Sequence, residues 1–351
     1  MIKRQLRRAA LTTLKGGGAF GLVRDSAWRR QRLLILCFHG VALDDEDQWR
    51  PSLYISPQQL ERRLEILRRE RCAVLPMGEA LERLYRHDLP PCSVALTFDD
   101  GQYDFYRQAY PRLKQSGFPA TVYLTTYYSE LQRPIFSLVC SYLLWKARHA
   151  GAADLREFGI QGAARLDSQQ SREAAAGQIV QWADGQDLHG QQKDQIAASL
   201  AQRLGIDYDA LRARRILHVM NPQEVKDLAA AGVDFQLHTH RHRTPMSEEL
   251  FRQEIRENRR RLASIIGGGQ THFCYPSGAY RPEFLPWLAA EGIVSAVTCD
   301  TGFATAETNP LLLPRLVDTS ARTDLEFESW VTGVGHFLSR RRRAKLAYSS
   351  D

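Results

Sequence analysis

The run Ser93-Val94-Ala95-Leu96-Thr97-Phe98-Asp99-Asp100-Gly101 decides how the rest of the chain is read. Apolar and β-branched residues lead straight into two adjacent carboxylates and a glycine, the pattern of a buried strand closed by a sharp turn. A parallel strand that carries Asp-Asp at its C-terminal tip puts acids on the face where α/β folds keep their chemistry. Consecutive side chains of an extended chain point to opposite sides, so the two carboxylates are free for two tasks. One can ligate a cation while the other handles a proton.

The same pattern recurs along the chain. Leu33-Leu34-Ile35-Leu36-Cys37-Phe38-His39-Gly40 reads as a first strand that also ends in a polar residue. Val233–Leu237 runs into His238-Thr239-His240-Arg241-His242, and Thr271–Tyr275 into Pro276-Ser277-Gly278. With Ala120–Thr125, Val294–Thr298 and Leu311–Val317 there are roughly seven strand runs, enough for one barrel of the (β/α) type. Helices fill the intervals: Ser56-Pro57 and Asn221-Pro222-Gln223-Glu224 are capped starts, a long charged helix covers Ser247–Ile266, and a last one covers Thr323–Phe337.

Between Tyr127 and Met220 the alternation stops. This stretch is rich in Ala, Gln, Arg and Asp, with helical segments such as Leu138–Arg148 and Gln191–Leu204. It follows a strand, so it is expected as an enlarged strand-to-helix connection, a mainly helical cap (127–220) that sits over the catalytic face and controls which substrate enters. Its Trp145 and Trp182 read either as sugar-stacking platforms or as the core of the cap itself.

The positive excess is confined to the ends. The first 32 residues hold nine Lys/Arg against one Asp, and Arg340–Lys345 adds five cations. Of a whole-chain charge of +7, the remaining body therefore carries about −6, which argues against a nucleic-acid groove through it. Residues 1–32 read as a basic amphipathic segment, with Ile2 and Leu6 sharing a face among Lys3, Arg4, Arg7 and Arg8. The segment is suited either to peripheral contact with an anionic membrane or to a solvated tail. Residues 339–351 form a second basic tail. The six cysteines show no CxxC and no pairing rhythm, and no run is long and apolar enough for a spanning helix. A cytoplasmic setting, membrane-associated at most, is expected.

His238 and His242 stand at the i, i+4 spacing that lets two imidazoles meet one metal, and they cap a strand as the aspartates do. One carboxylate and two imidazoles with open positions is the composition of a catalytic zinc-type site. Thr97-Phe98-Asp99-Asp100-Gly101 together with His238-Thr239-His240-Arg241-His242 resembles the first two motifs of the polysaccharide deacetylases, the family 4 carbohydrate esterases that share the nodulation-protein-B homology domain. The resemblance spans about Leu33 to Val317 without the cap. It implies a distorted (β/α)7 barrel holding a divalent cation, zinc, with Asp100, His238 and His242 as ligands and Asp99 as general base. The cation polarises the N-acetyl carbonyl and activates the attacking water.

Two departures matter. Where the family's third motif reads Arg-Pro-Pro-Tyr-Gly, this chain has Phe273-Cys274-Tyr275-Pro276-Ser277-Gly278, similar to deacetylases of exopolysaccharide biosynthesis. The arginine that orients the base is missing, with Arg281 and Arg315 as candidate substitutes. The backbone at Ser277, with Tyr275, takes the oxyanion and substrate-binding role, because that role needs geometry more than a side chain. The last motif, Leu-x-x-His, is found at the start instead, as Leu36-Cys37-Phe38-His39. In a cyclic barrel this is a permuted arrangement, and it implies that His39 is the general acid. The expected function is a metal-dependent hydrolase that removes N-acetyl groups from an amino-sugar polysaccharide, an oligosaccharide or a lipid-linked precursor. The alternatives are a deformylase or other non-peptide amide hydrolase on this fold, or a non-catalytic glycan-binding barrel, which the missing arginine would favour.

Overall fold

The structure is a computed structural model and describes residues 2–186 and 188–339. Seven strands form one parallel sheet: β1 (Leu34–Phe38), β2 (Val94–Phe98), β3 (Thr121–Leu124), β4 (Asp234–Leu237), β5 (His272–Cys274), β6 (Ser295–Val297) and β7 (Leu316–Val317). Their spatial order is β6-β5-β4-β3-β2-β1-β7, so chain neighbours are sheet neighbours and only β7 lies out of sequence, beside β1. The two ends of the sheet meet where Val297 bridges Leu313 just before β7, with the Thr298 N–H donating to the Leu313 carbonyl at 2.9 Å. The result is a distorted (β/α)7 barrel.

β1 and β2 are buried along their whole length, as expected for strands covered on both faces, and they pair in register from Leu34–Val94 to Phe38–Phe98. Leu34, Leu36, Phe38, Leu96 and Phe98 face the outer layer of helices, while Leu33, Ile35 and Ala95 face the barrel interior. Side chains alternate along a strand, so the inward series of β2 continues from Ala95 through Thr97 to Asp99. The base candidate is thus aimed down the barrel axis by the same alternation that builds the core.

The helix Glu248–Ile266 is capped by Ser247, whose hydroxyl accepts the Leu250 N–H, and it buries Phe251, Ile255 and Leu262 on the barrel. The expected final helix is two helices, Asp324–Thr332 and Val334–Leu338, broken at Gly333. Gly333 has φ 104°, and a Cβ there would lie 2.8 Å from the Trp28 ring. That contact cannot be read locally, because Trp28 arrives from the other end of the chain.

The cap between β3 and β4 holds five helices of five residues or more and a short hairpin, Ala152–Asp154 with Ala163–Arg165. It has a core of its own, built from residues such as Val139, Leu143, Phe158, Ile179, Leu200 and Leu211. Trp145 stacks on Tyr142 and Trp182 packs against that core, so both tryptophans serve the cap internally.

The basic N-terminal segment is helical and docked. Helices Ile2–Gly16 and Ala19–Arg24 set Leu11 and Phe20 against Val334, and Lys15 pairs with Glu328 at 2.7 Å. Arg29 is fully buried and donates to the carbonyls of Val331, Arg32 and Ser93. Ser93 precedes β2, so this segment closes the end of the barrel opposite Asp99 and Asp100. The cationic run Arg340–Lys345 lies outside the described residues. No described helix is long and apolar enough to cross a membrane.

Candidate active site

At the C-terminal ends of the strands lies a cleft of about 390 Å³, within the range of small-ligand sites. His39, Asp99, Asp100, His238, His242, Ser277, Gly278 and Cys299 line its barrel side. The cap supplies Tyr128, Ile135, Ser137 and Leu138, and the loop after β1 adds Arg50, Ser52 and Leu53. The cap therefore does form a wall of this cleft. The floor is polar and the far wall largely apolar.

Asp100 Oδ1 lies 3.2 Å from Nε2 of both His238 and His242. The three ligand atoms lie within 4.8 Å of one another, compact enough for one ion. His238 Nδ1 is 2.8 Å from the Cys274 carbonyl, which can only accept, so Nδ1 carries the proton and Nε2 presents a lone pair. Such a donor set fits a divalent metal: one carboxylate, two imidazole nitrogens and an open side toward the cleft. Burial works to raise Asp100, but His242 and His238 outweigh it and hold the carboxyl well below the usual range. Burial works to lower His242, and the Asp100 charge reverses this, leaving its pKa raised.

Backbone strain is stored in the site. Asp100, Thr239, His242 and Ser277 all have left-handed φ, at 69°, 61°, 55° and 57°. Non-glycine residues in this region cost on the order of 1–3 kcal/mol each and persist only where their surroundings hold them. At Gly101, φ is 71° and a Cβ would lie 2.1 Å from Leu124 Cδ1, so the turn after Asp100 requires glycine. The His238–His242 loop is held by Glu254, a buried residue of the helix Glu248–Ile266. Its carboxylate accepts from the Arg241 backbone and from the side chains of Arg241 and Arg243. The two arginines are thus struts of the loop. His240 points away from the metal group, its Nδ1 2.8 Å from the Thr126 hydroxyl.

Asp99 is 2 % exposed and carries two parallel bonds from Arg315, Nη1 to Oδ1 and Nη2 to Oδ2, each 2.7 Å. Arg315, fully buried, is anchored in turn on the Thr298 carbonyl and the Thr97 hydroxyl. Of the two candidate substitutes for the missing arginine, Arg315 is the one that reaches Asp99. Burial works to raise Asp99, but the guanidinium dominates and keeps its pKa far below the ordinary carboxylate value. The thiols of Cys37 and Cys274 approach Asp99 Oδ2 at 3.4 Å each. His39, at the tip of β1, lines the cleft with Nε2 3.7 Å from Asp99 Oδ2. Burial lowers its pKa, while Asp99 and Asp100 act in the opposite direction.

Five of the predicted residues therefore meet in one site: Asp99, Asp100, His238, His242 and His39. Ser277 joins them on the cleft wall. Next to it Gly278, at φ 67°, leaves no room for a Cβ, which would lie 2.7 Å from Cys299 Cβ. Tyr275 is placed elsewhere: its side chain is fully buried, its hydroxyl donates to the Leu311 carbonyl, and it does not line the cleft. Sequence reasoning passed over Asn258. Buried on the Glu248–Ile266 helix, Asn258 accepts the His238 N–H at 2.9 Å and donates to the Leu124 carbonyl and the Thr126 hydroxyl. The available signal was an amide on the helix's apolar face, between Ile255 and Leu262.

The family model for polysaccharide deacetylase matches residues 86–156 and 196–296, which include both the Asp-Asp strand and the histidine loop. The chain belongs to the polysaccharide deacetylases. It is accordingly a hydrolase that deacetylates polysaccharide. The unmatched interval 157–195 falls within the cap. Among solved structures, the Streptococcus pyogenes deacetylase PplD in complex with acetate shares the fold at TM-score 0.55 and 19% identity, covering 84% of this chain and 95% of its own. IcaB from Ammonifex degensii is similar at TM-score 0.53 and 17% identity, covering 86% and 97%. The Bacillus cereus polysaccharide deacetylase BC0361 matches at TM-score 0.53 and 15% identity, covering 86% of this chain and 69% of its own. No curated protein matches the sequence.

Proposed function

We propose that this deacetylase is a metal-dependent de-N-acetylase of an amino-sugar polysaccharide or its lipid-linked precursor, with zinc held by Asp100, His238 and His242. The observation that carries the reading is the convergence of both imidazole Nε2 atoms on Asp100 Oδ1, beside an arginine-held Asp99 on the same rim. A bound divalent cation would polarise the amide carbonyl and acidify water. The remaining roles belong to the chain's own groups. Asp99, kept ionised by Arg315, takes a proton from water. The backbone N–H at Ser277 is the candidate oxyanion donor. His39, 3.7 Å from Asp99 and lining the cleft, is the imidazole we assign to carry that proton onward to the leaving amine.

Acetate release from N-acetylglucosamine oligomers, measured with and without a chelator, tests the reading. Acetate that disappears with chelation and returns with zinc supports it. Formate from an N-formylated sugar with no acetate would move the assignment to a deformylase. The glycan-binding alternative rested on the missing arginine, and the paired bonds from Arg315 to Asp99 weigh against it.

For His39→Asn we expect unchanged metal content and a turnover lower by ~10²–10⁴-fold, the usual effect of losing an acid–base group. Amide cleavage needs that proton, because an amide anion departs poorly. A variant within a few-fold of the unmodified enzyme would make His39 a structural cap of β1.

The proposal extends to the basic end of the chain, as a contact with anionic membrane surfaces. Leu6 and Leu22 are 65% and 74% exposed, and Phe337, on the neighbouring C-terminal helix, is 61% exposed. Exposed apolar side chains among cations are what an interfacial anchor needs. Co-sedimentation should show binding to vesicles containing phosphatidylglycerol, loss of binding at high salt, and weaker binding for Leu6→Asp/Leu22→Asp. Equal recovery on purely neutral vesicles, or none on anionic ones, would refute it.

A further inference from the structure

Two of the cysteines, twenty residues apart in sequence, meet at the closed end of the barrel, with Cys72 Sγ and Cys92 Sγ 3.0 Å apart. The backbone brings them there. Val74 and Val94 form a parallel bridge in which the Val94 N–H donates to the Ala73 carbonyl and the Leu75 N–H to the Val94 carbonyl, each at 2.9 Å. Cys72 and Cys92 each lie two residues before that bridge. That bridge holds the two segments side by side, and closing the 3.0 Å sulfur gap to the ~2.05 Å of an S–S bond needs only a small movement. No other cysteine pair among the described residues forms a sulfur–sulfur hydrogen bond.

We propose that Cys72 and Cys92 are a disulfide-forming pair that staples the helix Met77–Tyr85 to the start of β2. The closed loop would contain the residues that plug the bottom of the barrel, Met77, Ala80, Leu81 and Leu84. The site lies away from the catalytic cleft, at the opposite end of the strand that carries Asp99.

The surroundings suit the chemistry. Cys92 is buried beside Arg29, whose Nη2 is 3.9 Å from its sulfur, whereas Cys72 is half-buried and the more accessible of the two. The hydrogen bond from Cys72, with help from Arg29, brings the Cys92 thiol down to about 7 against the effect of burial. A low-molecular-weight disulfide such as glutathione disulfide supplies the oxidant. Cys72, losing its proton to solvent, bonds to one glutathione sulfur, and the glutathione S–S bond breaks to release a first thiol. Cys92, losing its proton to solvent with the Arg29 guanidinium beside it, then attacks the Cys72 sulfur, forming the Cys72–Cys92 bond and displacing the second glutathione, which takes up a proton as its thiol. The protein loses two electrons and two protons, and the oxidant becomes two thiols.

The test is oxidation of the full chain with glutathione disulfide, followed by alkylation, digestion and mass spectrometry. The expected product is a single cross-link between the peptides carrying Cys72 and Cys92, with two fewer alkylatable thiols. The melting temperature should rise by ~3–6 °C over the reduced protein. Cys72→Ser and, separately, Cys92→Ala should lose both the cross-link and the shift. Neither readout depends on catalysis, so the outcome is independent of the functional reading. Stable glutathione adducts on Cys72 without the cross-link, a cross-link involving other cysteines, or a melting temperature unchanged by oxidation would each overturn the proposal.

Discussion

His238→Ala should purify as a folded barrel that holds no stoichiometric divalent metal and releases no measurable acetate. The imidazole is one of the three proposed donors, with Asp100 and His242, and its Nδ1–H bond to the Cys274 carbonyl leaves Nε2 free for an ion. A catalytic site of three protein ligands does not retain its metal well on two. The side chain is nearly fully buried, so some stability is lost with it, but β4 and its cover of Phe251, Ile255 and Leu262 remain. Elemental analysis together with circular dichroism would separate loss of metal from loss of fold. His240→Ala is the control. That ring bonds the Thr126 hydroxyl and not Asp100, so the variant should keep its metal even if somewhat destabilised. Normal metal content in the His238 variant would refute the ligand assignment.

The site was legible in sequence wherever a chemical group terminates a strand. Asp99, Asp100, His39 and His238 follow apolar runs directly, and parallel strands deliver their tips to one rim, so strand order and site location come together. His242 followed from its spacing to His238. Groups that act from the side were harder to read. Arg315 sits within the run Leu311–Val317, and nothing local tells an arginine that enters the barrel from one that leaves it. Only the placement of β7 beside β1 brings it to Asp99. Cys37 and Cys274 lie in apolar strand runs, yet their contact with the same carboxylate oxygen depends on three different strands. Tyr275 shares with Phe273 the outward face of its strand run, opposite Cys274, and this sends its ring into the core and not into the cleft. The docking of the N-terminal segment was hidden by its charge, because the few residues that dock it, Leu11, Phe20 and buried Arg29, are scattered among the cations.

Arg315→Met should lower turnover by at least ~10²-fold and destabilise the barrel by ~3–5 kcal/mol, the cost of leaving a buried charge without its partner. Asp99 is buried, and both of its oxygens are bonded by the same guanidinium. Removing the guanidinium leaves a carboxylate facing two cysteine thiols and a histidine, with nothing to fix its rotamer against the cleft. Methionine approximates the volume of the lost side chain, so a large effect cannot be assigned to a cavity alone. The carboxylate is held below the ordinary range in the folded protein, so the pair contributes stability that is present at neutral pH. That contribution is lost as pH falls below the ordinary carboxylate range toward the folded value. The decisive comparison is the double variant Arg315→Met/Asp99→Asn. With the charge gone, most of the lost stability should return in chemical denaturation, while turnover falls further because the proposed base is removed. Arg315→Lys should fall between, keeping the charge but not the two-pronged bond. If Arg315→Met keeps full turnover, the arginine is only a structural counter-ion. If the double variant is no more stable than the single one, the destabilisation comes from the lost bonds to Thr298 and Thr97 and not from the orphaned charge.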